Sequence, residues 1–279
     1  MECLHPKESL DMDTLPTNDL LACAVAAARA AGDHVASQAH RRTEVHARTP
    51  HDVKLALDSE AQTRASDVIH AQYPDHAILG EEESHERDPT QPRWIVDPID
   101  GTVNFSHGAP FWCVSVAVEH QGRTRAGTIY APELQELYTA TCEQRAELNG
   151  KPIAVSTVDT LADALMLTDT NKEPFDFPAG ARLYGKLLHR AQKVRVMGAA
   201  ALDICRVALG TAEGYTALGI YPWDTAAAAL ILEQAGGRFE VIETLGNQRF
   251  RAICSNGRVH EELKTVFLET LREAGLHTG

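Results

Sequence analysis

The stretch Trp94–Phe105, WIVDPIDGTVNF, constrains this chain more than any other. Trp94-Ile95-Val96 is an apolar run of the kind that forms a short buried strand. It delivers Asp97, and Pro98, which has no N–H to give to a ladder, is expected to stop the strand there. Asp100 follows, with Gly101-Thr102 directly behind it. Two carboxylates therefore leave a strand end on a tight turn, beside a glycine where backbone can approach a ligand closely. Held this close they repel unless positive charge lies between them. A hard divalent cation such as Mg²⁺ is the natural partner, because it binds through one or two carboxylates plus substrate phosphate. Asp-Pro and Asp-Gly are also ordinary turn dipeptides, so the rest of the chain must decide between a site and a turn.

Composition narrows the classes of partner. With 279 residues, 44% of them hydrophobic and 23% charged, the chain can bury a full core as one large domain or two halves sharing an interface. A formal net charge of -13 argues against nucleic acid, whose binding rests on Lys and Arg. It also disfavours an anionic membrane surface. A small phosphorylated substrate then needs a metal to offset the acidic site. The six cysteines are widely spaced with no CxxC, as expected of free thiols in a reducing cytoplasm. No apolar run approaches the roughly 20 residues that span a bilayer. The opening MECLHPKESLDMD is too polar for a signal peptide, so a cytoplasmic location is expected.

Read in order, residues 1–16, with mixed charge and two prolines, are expected to be a loose, flexible extension. Thr17-Asn18-Asp19 offers helix caps, and Leu21, Ala24, Val25, Ala28, Gly32 and Val35 recur at helical spacing. Asp58 stands at the start of a second helix, where an N-cap is the simplest reading. Ala77-Ile78-Leu79 is a short strand running into Gly80-Glu81-Glu82-Glu83, which puts Glu81 at a strand end. Strands follow over Phe111–Val118, 127–130 and 136–141, with a turn at Asn149-Gly150, giving an antiparallel meander. From about Ala164 strands and helices alternate. Strands are expected at 164–168, 193–196, 215–218, 238–241 and 252–254. Helices are expected at 180–192, 199–209, 222–235 and, capped by Ser255-Asn256, 258–274. Asp224 lies in the first turn of the helix at 222–235, which the helix dipole favours.

Glu81, Asp97, Asp100 and Asp224 thus all fall at strand ends or helix starts, positions that a mixed α/β fold gathers along one edge. Together with their surroundings they carry a resemblance. WIVDPIDGTVNF and YPWDTAAAALILEQAGG, with Gly80-Glu81-Glu82 and RVMGAAALDICRVALGTAEGY, resemble the signature segments of the inositol monophosphatase family. The likeness runs from about Leu20 to the C-terminus. It implies an α/β (α+β) layered αβαβα sandwich. An N-terminal half (17–160) with an antiparallel sheet and a C-terminal α/β half (161–279) would enclose the metal site between them.

The resemblance also implies roles. Glu81, Asp97 and the carbonyl of Ile99 would bind one Mg²⁺; Asp97, Asp100 and Asp224 a second; a weaker third would lean on Glu81. Gly101 and Thr102 would offer N–H groups to the phosphate. Thr102 and Asp58 would orient the attacking water and help to deprotonate it. Gly198 and Ala200, with Asp100 and Asp224, match substrate-side positions. Lithium sensitivity and a homodimer are further implications. No Ser or Cys stands in a nucleophile motif, so direct attack by metal-activated water is expected.

Three departures bear on this. Ala47 replaces a lysine before Asp52, Lys54-Leu55-Ala56-Leu57 replaces a threonine-rich run, and Ala217 replaces the glutamate that grips sugar hydroxyls. The last loosens selection for inositol. Inositol 1-phosphate leads as substrate. The alternatives are histidinol phosphate, fructose 1,6-bisphosphate, a 3′-phosphorylated nucleotide, or a metal-binding regulatory protein without turnover.

Overall fold

A computed structural model describes residues 16–48, 53–85, 91–169 and 177–276; residues 1–15 of the expected extension, and Asp52, lie outside these. The chain opens on α1 (Thr17–Ser37), the hairpin β1 (Val45–Arg48) and β2 (Val53–Leu55), and α2 (Ala56–Gln72). Next come β3 (Ala77–Gly80), β4 (Ser84–His85), β5 (Arg93–Asp100) and the short α3 (Thr102–His107). The meander is β6 (Cys113–His120), β7 (Arg123–Ala131), β8 (Glu136–Thr141), β9 (Gln144–Leu148) and β10 (Lys151–Pro152). The remainder is β11 (Leu165–Thr168), α4 (Phe177–Arg190), β12 (Lys193–Arg195), α5 (Ala200–Ala208), β13 (Gly214–Ile220), α6 (Pro222–Gln234), β14 (Arg238–Gly246), β15 (Arg249–Ser255) and α7 (His260–Glu273).

Two large sheets form, ordered β10-β9-β8-β7-β6-β5-β3-β4 and β12-β11-β13-β15-β14. Side-chain alternation sorts their faces. On β5 and β6, Trp94, Val96, Val114, Val116 and Val118 face α1 and α2, while Ile95, Cys113 and Ala117 face the other way, toward α5 and α6. In the second sheet Leu167, Tyr215, Ala217, Ala252 and Cys254 face the same α5–α6 layer. Met166, Leu218 and Ile253 turn to α4 and α7. The result is the five-layered αβαβα sandwich. Slipping β5–β6 by one residue would drive Trp94 and four valines into the α5–α6 layer, which is packed around residues as small as Cys113 and Ala117, so the register is fixed by fit on both faces.

The structure corrects several local expectations. β5 does not stop at Pro98 but runs to Asp100. The missing proline N–H is absorbed by a bulge, since Asp97 pairs with Ser115 and Asp100 with Cys113. The caps expected at Thr17-Asn18-Asp19 are inside α1, whose N-cap is Pro16, with no side-chain cap. Asp58 is the third residue of α2, reaching back to Leu55 N at 2.5 Å, rather than the N-cap. Asn256 accepts from Arg258 N and Val259 N and so shapes the turn before α7, which begins only at His260. Asn149 and Gly150 both have positive φ, as a two-residue hairpin turn requires. All five cysteines among the described residues are free thiols. Among the described residues no helix is long and apolar enough to cross a membrane.

Candidate metal and phosphate site

Each acid is placed by ordinary backbone pairing. β3 runs parallel to β5 with Gly80 opposite Val96, and Glu81 N donates to Val96 O at 3.2 Å, so Glu81 emerges beside Asp97. The loop after Glu81 is held from behind by Gln62 of α2, which is 2% exposed. Its Oε1 accepts from Glu82 N at 2.9 Å and its Nε2 donates to Glu83 O at 2.6 Å. Ser115, the β6 partner of Asp97, donates its hydroxyl to Trp223 O at 3.0 Å and so brings the start of α6 to the end of β5. Asp224, third in α6, accepts from Tyr221 N at 2.9 Å. Asp100 caps α5 from the other side, its two oxygens accepting from Ala200 N at 3.1 Å and Ala201 N at 2.8 Å.

Glu81, Asp97, Asp100 and Asp224 line one cavity of ≈ 180 Å³ together with Ile99, Gly101, Thr102, Val103 and Gly198. Gly101 has φ +90, and a Cβ there would stand 3.0 Å from Ala199 Cβ and from Phe111 O, so conformation and space both require glycine. It leads directly into α3, whose first N–H groups have no helical acceptors. Asn104 fixes this turn by donating to Phe111 O and Met197 O, both at 2.8 Å. The hydroxyl of Thr102 donates to Ile99 O at 2.8 Å, and Asp97 Oδ1 accepts from Ile99 N at 3.0 Å. Asp58 lies close enough to Glu81 and Asp97 to act on both electrostatically.

Burial, then mutual repulsion, pushes the carboxyls of Glu81 and Asp97 well above the carboxylate range. Burial and the charge of Asp100 raise Asp224 to about 8, against the opposing hydrogen bonds from Tyr221 N and Asp97. Asp100 rises by burial only to about 6, because the backbone N–H groups of Ala201 and Ala200 favour its anion. Lys54, paired with Glu82 at 2.8 Å, is the cation that eases Glu81. Among the described residues no three His, Cys, Asp or Glu side chains already form a closed metal cage. The Asp97, Asp100 and Asp224 oxygens are instead turned onto N–H groups and each other. The donor set nevertheless fits a hard divalent cation. All donors are oxygens, four carboxyls share one cavity, and their repulsion is what a cation would relieve.

A second cavity of ≈ 160 Å³ adjoins the first through Asp100, Gly198 and Asp224 and adds Asp169, Ala199, Ala200, Asp203, Tyr215, Gly219 and Ile220. Ala200 and Gly198, expected on the substrate side, lie here. Sequence reasoning did not single out Gln62, Asn104, Ser115 or Asp203. Asp203 left a signal: it is one acid inside the apolar run Ala201-Leu202-Asp203-Ile204-Cys205, where a charge is costly to bury without a purpose.

A profile of the inositol monophosphatase family matches residues 17–275. An inositol monophosphatase of Mesembryanthemum crystallinum is 35% identical over 271 residues, covering 93% of this chain and 98% of the relative. A protein of Pasteurella multocida named Nus factor SuhB is 35% identical over 224 residues, covering 79% and 84%. Among solved structures, the extragenic suppressor protein suhB of Bartonella henselae superposes with a TM-score of 0.83 at 29% identity, covering 89% of this chain and 98% of that one.

Proposed function

The chain belongs to the inositol monophosphatase family and is a phosphoric monoester hydrolase, and from that premise we propose that it hydrolyses a small polyol phosphate, inositol 1-phosphate first among them, with Mg²⁺. One observation carries the reading: Glu81, Asp97, Asp100 and Asp224 share a cavity with the Gly101–Thr102 turn, where anionic phosphate and cation would both be needed.

In this reading Glu81, Asp97, Asp100, Asp224 and the Ile99 carbonyl would hold two to three Mg²⁺ ions. When bound, the cations supply Lewis acidity toward the phosphoryl oxygens and acidify water. The chain's own groups do the rest. The N–H groups of Gly101 and Thr102 hold the phosphate in line. The Thr102 hydroxyl exchanges Ile99 O for Asp58, and Asp58, assisted by Glu81, takes the proton of the attacking water at its carboxylate. Sensitivity to lithium, a homodimer and a cytoplasmic location belong to the same proposal.

The test is phosphate release from inositol 1-phosphate, histidinol phosphate, fructose 1,6-bisphosphate and adenosine 3′,5′-bisphosphate, each with Mg²⁺, with chelator and with Li⁺. Mg²⁺-dependent turnover of inositol 1-phosphate above the rest supports the reading. Preference for another member moves the chain to that branch. No turnover from folded, Mg²⁺-binding protein favours a regulatory role, in keeping with the relatives named as Nus factors.

A further inference from the structure

Arg206 is the single cation of α5, set in the apolar run Ile204-Cys205-Arg206-Val207-Ala208. A charge in such a run is costly to bury unless it is paired. It is paired with β8 of the first sheet. Its Nη1 donates to Glu136 Oε1 at 2.9 Å and its Nη2 to Glu136 Oε2 at 2.7 Å. Nη1 also donates to the Tyr138 hydroxyl at 2.9 Å, and that hydroxyl donates to Glu136 Oε2 at 3.0 Å, which closes a ring of three groups. Burial pushes the Tyr138 phenol up, so it stays a neutral donor. Both members of the ion pair are 20% exposed, and a two-pronged guanidinium–carboxylate contact fixes direction as well as distance. The guanidinium therefore has a set position between α5 and β8.

From that position it lies over the ring of Phe111, 5.7 Å from the centroid, within reach of a cation–π contact. Phe111 is where the ring of contacts meets the candidate site. Its carbonyl accepts from Asn104 Nδ2 at 2.8 Å, and a Cβ on Gly101 would stand 3.0 Å from the same oxygen. The Phe111 backbone is thus a wall against the turn whose N–H groups face the cavity. We propose that Arg206 is a positioning residue for phosphate: anchored by Glu136 and Tyr138, it holds Phe111 against the Gly101–Thr102 turn and so keeps that turn in the shape an anion needs. The inference rests on the phosphatase reading and concerns the phosphate half of the substrate, whichever alcohol it carries. Arg206 touches no reacting atom. It acts through the ring and carbonyl of Phe111, and a small misplacement of the groups that orient a phosphate weakens binding.

The test uses the full chain loaded with Mg²⁺, the ester it turns over best, and inorganic phosphate as inhibitor. Arg206→Met and Phe111→Leu should each raise the inhibition constant of phosphate and the KM of the ester by roughly three- to tenfold, with a smaller change in kcat. Phe111→Leu leaves the Arg206–Glu136 pair intact, so it stays informative where Arg206→Met folds poorly. The two residues act along one route, so the double variant should go little beyond the larger single effect. Arg206→Lys restores the charge without the fork and should fall between Arg206→Met and the parent. A lower melting temperature with an unmoved phosphate constant in both single variants makes Arg206 a brace for the fold alone and overturns the inference. So does a shift in Arg206→Met that Phe111→Leu does not share. A parent that turns over no ester sinks the phosphatase reading instead. Calorimetric binding of inorganic phosphate to Mg²⁺-loaded parent and variants then still decides on Arg206.

Discussion

Asp97 is 1% exposed, and burial and the charges of Glu81, Asp100, Asp224 and Asp58 all act on it together. Replacing it with asparagine removes a proposed cation ligand and a source of repulsion at once. Asp97→Asn should therefore lower Mg²⁺-dependent phosphate release by more than about 100-fold, a loss beyond that of outer positions around a metal. In chelator the same variant should melt at a higher temperature than the parent. The pH dependence follows from the same groups. Asp100 and Asp224 are raised to about 6 and about 8 in the folded chain, above their unfolded values. Unfolding then lets them ionise more easily, so their contribution is full below the unfolded pKa and is lost as pH rises toward 8. Metal-free protein should melt lower at pH 8 than at pH 5. Added Mg²⁺ should restore stability most at the alkaline end, and Asp224→Asn should flatten the slope in chelator. Thermal scans across pH with and without Mg²⁺ check both.

At the scale of elements, the site depends on joints between strands and helices. Gln62 is the joint between α2 and the loop bearing Glu81. Gln62→Leu leaves Glu82 N and Glu83 O without their partner, a cost of about 1–3 kcal/mol. It should also raise the Mg²⁺ concentration for half-maximal activity, because Glu81 loses its fixed position. A Mg²⁺ titration of the folded variant would reveal a purely structural role if only stability moved. Gly127 is the joint between β7 and α6: a Cβ there would stand 2.9 Å from Ala227 Cα, which is backbone and cannot step aside. Gly127→Ala should destabilise by about 1–3 kcal/mol in a denaturant titration. Pro98 is a third case. Its missing N–H becomes a bulge instead of a strand end, and the bulge turns Asp97 and Asp100 out toward the cavity.

The molecule as a whole is held together through its middle layer. α5 and α6 pack on both sheets at once, and Asp100, Ser115 and Asn104 each reach across to Ala200, Trp223 and Met197. Separating the residues before 161 from those after it would strip the same helices from the first sheet and expose its Ile95–Ala117 face. The chain should therefore unfold in a single transition, with calorimetric and van't Hoff enthalpies equal. Two resolved transitions would show that the halves are independent and that the site lies at a loose junction.

Much of this was legible in the letters. The elements follow from hydrophobic period, and the layered architecture was implied by the family resemblance of the signature segments. WIVDPIDGTVNF, YPWDTAAAA and Gly80-Glu81-Glu82 mark the four acids at their element ends, since strand ends and first helical turns have local signals. The sequence could not say that Ser115 would join Trp223 or that Gln62 would brace a loop twenty residues away. Nor could it say that Asp203 and Tyr215 would be buried side by side, each with a polar atom that has no partner among the described residues. Those relations come from pairing register and helix packing between segments far apart in the chain. No local period or propensity encodes that distance; it is decided only when the buried faces of both sheets close on the helices between them.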